Sequence, residues 1–223
     1  MLDMPAVIQE VQQVDWGALQ EQAADYRPVL DVVKKTWSKE SLLDIMRGHI
    51  AVPDATINEA IAARIDENSQ VKSLKLTSRE NGRLDILADT KKIGRVELSG
   101  TIDDFVHNAD KSYMTYTIKE RALKDHGLMS WFFSRISLSM AEKLVGHMEL
   151  SEDLPTEIHG NHVTVDFHDL LRASDLGQTS FRGYNLLDML HIENAVPHDG
   201  YVEFKTSLDL PDGLKALLLQ SFL

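Results

Sequence analysis

The chain has 223 residues, 35 acidic against 23 basic side chains for a net charge of −12, and no cysteine. That length suits one large domain or two small ones, and a hydrophobic content of 43% is enough to build a buried core. The acidic balance argues against nucleic-acid binding, which relies on Lys and Arg to displace counterions, and the missing cysteines exclude disulfides, thiolate metal sites and cysteine nucleophiles.

The first ten residues lack the basic and apolar regions of a signal peptide. No apolar run approaches the roughly 20 residues that span a bilayer. The expectation is a cytoplasmic protein without a transmembrane segment, or a periplasmic one if a leader has been removed.

In chain order, residues 5–48 read as helices. Val7, Val11, Val14 and Leu19 recur near helical spacing, and Pro28 breaks the pattern before Val29, Val32 and Val33. Ser38 caps a second helix that Gly48 ends. This sets an N-terminal helical segment, residues 1–50, ahead of an α+β domain, residues 51–223, with a single compact body overall. Asp54 or Thr56 then caps a helix from Ile57 to Ile65, whose isoleucines share one face.

A strand block follows. Leu74 and Leu76 face one way in the first strand, Leu84, Ile86 and Ala88 in the second. Asn81-Gly82 between them signals a hairpin, because both turn positions favour positive φ. Val96, Leu98, Gly100 and Ile102 line one face of the third strand; Met114, Tyr116 and Ile118 line one face of the fourth. The period then changes. Leu128, Phe132, Ile136, Met140, Leu144 and Met148 recur every fourth residue, as in a long amphipathic helix. Further strands are expected at 161–167 and 200–208, and an apolar C-terminal helix at 211–223. The expected fold is α+β: a long twisted antiparallel β-meander wrapping a long amphipathic helix, with the helical segment in front.

Four pieces of sequence carry a resemblance: Ile57-Asn58-Glu59-Ala60-Ile61, the alternating strands from Val71 to Ile118, the 128–148 helix, and His198-Asp199-Gly200-Tyr201-Val202-Glu203-Phe204. Over residues 56–208 the chain resembles tubular lipid-binding (TULIP-like) domains and their small bacterial relatives. The resemblance implies a lipid-related, non-enzymatic role. The N-terminal helices have no counterpart in that group.

The candidate pocket lining is Leu98, Met114, Tyr116, Met129, Trp131, Phe132, Phe133, Ile136 and Met140. Methionine supplies an adaptable apolar surface, and consecutive aromatic residues on one helix cannot all face the same core. The same residues would equally pack an ordinary core. His162, Asp166 and His168, on one face of a strand, are the candidate metal ligands; the alternative is the solvent face of a half-buried strand. Asp103, Asp104, His107, Asn108 and Asp110 form an acidic loop, readable as a calcium site or as turn chemistry. No nucleophile elbow, phosphate loop or dinucleotide fingerprint is present, so neither catalytic residues nor a cofactor is expected.

The leading expectation is binding of an apolar or amphipathic, lipid-like ligand in a cleft between curved sheet and helix. The rival is a protein–protein interaction or structural role, with self-association into a homo-oligomer through the terminal helices. A hydrolase with an unrecognised site is the third.

Overall fold

A computed structural model describes residues 38–63, 65, 71–91, 94–123, 154–181, 184–211 and 214–215. Helix α1 (Lys39–Arg47) starts where Ser38 accepts a hydrogen bond from the Ser41 amide at 3.1 Å. It stops at Gly48, whose φ of 98° only glycine takes without cost. Both ends match the sequence reading. Leu42 and Ile45 are buried beneath it, and Thr206 Oγ1 donates to the Ile45 carbonyl. These twelve or so residues of the expected N-terminal segment are thus built into the body of the fold.

Strand β1 (His49–Pro53) leads into helix α2 (Asp54–Ala62). This helix begins three residues before the expected start. Pro53 occupies the cap position without a side-chain bond, and Asp54 is the first helical residue rather than the cap. Its carboxylate accepts from the Ser78 amide at 2.7 Å instead.

Strands β2 (Val71–Arg79), β3 (Arg83–Thr90), β4 (Gly94–His107) and β5 (Ser112–Leu123) follow as antiparallel neighbours. Asn81 and Gly82 have φ of 61° and 71°, so the hairpin forms with both residues left-handed, as their types favour. Strands β6 (Thr156–His159) and β7 (His162–Asp166) form a second hairpin, which β7 joins to β5. Short helices α3 (His168–Arg172) and α4 (Asp175–Gln178) come next, then the small pair β8 (Ser180–Phe181) and β9 (Tyr184–Asn185). A 3-10 turn (Leu187–Met189) leads into β10 (Leu190–His198) and β11 (Tyr201–Leu208).

The architecture differs from the expected one. The described residues make a mostly antiparallel β structure around one nine-stranded sheet, and the described helices in it are only four to nine residues long. It is not a simple meander wrapped round one long helix. The expected helix at 128–148 lies outside the described residues. The sheet branches because β4 is longer than its neighbour: β3 pairs with its residues 94–101, and His107 beyond them pairs with Ile192 of β10. The order then runs β10, β11, β1. Two bulges between β4 and β5, at Lys119 and Asp103, bend the sheet where it divides.

Asn58 and Asp54 cap the outer edge of β2. The Asn58 amide donates to the Leu76 carbonyl at 2.8 Å and accepts from the Leu76 amide at 2.7 Å, as a neighbouring strand would. The turn between β10 and β11 joins in: Asp54 N donates to the Gly200 carbonyl, and Gly200 N to the Ser78 carbonyl.

Candidate functional site

Cross-strand register places Leu76, Ile86, Leu98, Ile102, Met114 and Val163 on one face of the sheet. Interleaved with them on the same face is a core of Leu84, Val96, Tyr116, Ile118 and Leu123. The core residues are buried, while the other six are only half-buried. This face continues past the Asp103 bulge through Phe105, the partner of Met114. Phe105 packs against Phe167 at 5.2 Å and edge-on against Phe204 at 5.1 Å between ring centroids. All three rings are half-buried. Large rings left partly accessible beside an apolar face are suited to ligand contact.

Of the residues expected to line a pocket, Leu98 and Met114 lie on this face. Tyr116 shares the face, paired with Ile102 and Val163, but is only 2% exposed, with its hydroxyl donating to the Leu84 carbonyl at 2.6 Å. Met129, Trp131, Phe132, Phe133, Ile136 and Met140 lie outside the described residues. The phenylalanine trio did not stand out in the sequence, because its members are far apart in the chain. The local signal was present at Phe105, which follows the bulged Asp103 and so returns to the apolar face.

Burial pushes the Tyr116 hydroxyl well above its ordinary value of 10.0, and the nearby Asp85 charge adds to this while Arg83 opposes it. An unfolded tyrosine ionises near pH 10, whereas the folded one keeps its proton. Stability is therefore lost as pH rises beyond 10. Tyr116→Phe is expected to cost about 1 kcal/mol at neutral pH through the lost hydrogen bond. It should also flatten the alkaline limb of the stability curve, measured by urea denaturation at pH 8 and pH 10.5.

The opposite face is polar and internally paired. Arg83 bonds Asp85 and Ser99 through Nε and Glu120 through Nη2. His162 Nδ1 bonds Thr117 Oγ1 at 2.7 Å, and that hydroxyl donates to Asp103. His168 instead meets Ser112 and Arg172, while Asp166 accepts the His168 amide. His162, Asp166 and His168 are thus not gathered. Among the described residues, no three His, Asp or Glu side chains are placed to share a metal ion. In the acidic loop, the Asn108 side chain accepts from the Asp110 and Lys111 amides, which is turn chemistry.

Among the described residues, no helix is long and apolar enough to cross a membrane. Comparison with known proteins finds no matching family model, curated protein or solved structure.

Proposed function

We propose that the chain is a non-enzymatic binding protein for an apolar or amphipathic ligand of lipid-like chemistry. The observation that carries this reading is the continuous, half-buried apolar face from Leu76 to Met114 and onward to the Phe105, Phe167 and Phe204 rings. Its side chains pack against the buried Leu84, Tyr116 and Ile118 of the same sheet face, so the surface is preformed and binding orders little. Met114 adapts to ligand shape, and the flat rings bind hydrocarbon without losing many rotamers. The resemblance to tubular lipid-binding domains points to the same ligand class.

Native mass spectrometry of protein purified without detergent tests this. The expected spectrum contains a mass above that of the chain, removed by organic extraction and identifiable as an apolar molecule. A clean mass for the bare chain in a stable dimer favours the self-associating alternative.

A further inference from the structure

We propose that His107, Ser112 and His168 form an acid-sensitive lock fastening helix α3 and the 187–189 turn to the β4–β5 hairpin. The direction of every hydrogen bond in the lock follows from one group that can only accept. His107 Nε2 lies 3.1 Å from the Leu187 carbonyl oxygen, so Nε2 carries the proton. In the neutral ring Nδ1 is then a lone pair, and it accepts from Ser112 Oγ at 2.7 Å. With its only proton committed, Ser112 Oγ accepts from His168 Nδ1 at 3.2 Å. That leaves the His168 Nε2 lone pair facing Arg172 Nε at 3.5 Å. Arg172 is anchored in turn by Asp188, at 2.6 Å, and by the Ala109 carbonyl.

His107 and Ser112 are 1% and 0% exposed, so no solvent replaces a lost partner. A proton added to His107 Nδ1 would oppose the Ser112 donor. The serine would have to turn toward His168, the His168 proton would move to Nε2, and that N–H would meet the Arg172 guanidinium. One protonation therefore reverses the whole chain and ends in a donor-to-donor clash. The surrounding charges come from five elements: His191 on β10, Asp188 in the 187–189 turn, Arg172 and Asp169 on α3, Asp110 with Lys111 in the β4–β5 turn, and Asp166 on β7. Asp166, at the end of β7, shares with His168, Asp110, Lys111 and Asp169 a shallow surface depression.

Burial holds the His107 ring below its ordinary value of 6.5; the charges of His191, His168 and Arg172 reinforce this and the Leu187 bond opposes it. The unfolded chain takes up a proton near pH 6.5 and the folded chain does not. The lock is therefore whole above pH 6.5 and loses stability as pH falls below it. Release would loosen Phe167, the residue before α3, from Phe105.

The test is hydrogen exchange of the full chain at pH 7.5 and pH 5.0, corrected for intrinsic rates, together with nitrogen NMR of the histidine rings. At pH 7.5 the expected tautomers are Nε2–H for His107 and Nδ1–H for His168. At pH 5.0 the protection of 168–172 should fall by up to about thirtyfold more than that of β2 and β3, since pH 5.0 lies one and a half units below the ordinary histidine value of 6.5. His107→Gln, which cannot be protonated there, should abolish the difference. A His107 proton on Nδ1 at pH 7.5 in the unaltered chain, or an equal acid response in α3 and β2, overturns the proposal.

Discussion

Gly100→Ala is expected to destabilise the protein by about 3 kcal/mol, the upper range for overpacking a filled interior. A Cβ at this position would stand 1.9 Å from the Thr117 carbonyl oxygen and 3.0 Å from Tyr116 Cζ. Neither neighbour can yield. Thr117 belongs to the β4–β5 ladder between two bulges, and the Tyr116 ring is pinned by its bond to Leu84. The ring covers the gap left by the glycine, so the two residues form one packing unit across the strands. Gly160→Ala is the control. It has φ of 65° but open space around its Cβ, so only backbone strain of about 1 kcal/mol is expected. Chemical denaturation of both variants checks this: a Gly100→Ala midpoint equal to or above that of Gly160→Ala contradicts the packing described.

The second large effect is expected at Asn58. Its alanine variant should lose about 2 kcal/mol, because two hydrogen bonds vanish and the Leu76 amide and carbonyl are left without them in a part-buried place. None of the helix's residues is fully buried, so beside the Asp54 bonds at its start the Asn58 pair is a main part of its hold on β2. Uncovering β2 also exposes a strand edge, so concentration-dependent association should appear by size-exclusion chromatography. Asn58→Asp separates hydrogen bonding from shape. A carboxylate still accepts from the Leu76 amide but repels its carbonyl oxygen, so this variant should be unstable at neutral pH and regain stability as acid protonates the new group. Equal stability of all three forms at pH 7 contradicts the edge-capping role.

These two residues also show which parts of the fold are readable from sequence. The Ser38 cap, the Gly48 stop and the Asn81-Gly82 hairpin depend on neighbours within a few positions, and local conformational preference decides them. Alternation along β2 to β5 was equally legible, because a side-chain period of two survives wherever one face is buried. The branch at β4 was not. It depends on pairing His107 with Ile192, a contact between segments whose local patterns say nothing about each other. Asn58 was visible as part of a helical pattern, but its role depends on a strand eighteen residues later. The site divides the same way. Leu98 and Met114 followed from strand alternation; Phe167 and Phe204 join them only through the topology of β7 and β11. In the His107–Ser112–His168 chain, His107 read as part of an acidic loop and His168 as a candidate metal ligand, because nothing local indicates that His107 is buried or that the two share a serine.

The apolar face is the claim on which the functional reading stands, and a binding titration addresses it most directly. A fluorescent long-chain fatty acid is titrated into the full chain and into Met114→Gln, a polar replacement of similar volume. The expected result is saturable binding by the unaltered protein and at least tenfold weaker binding by Met114→Gln, with its thermal midpoint lowered by only a few degrees, about 1 kcal/mol in stability. Absence of saturable binding by the unaltered protein, or undiminished affinity in the variant, contradicts a ligand seated on this face.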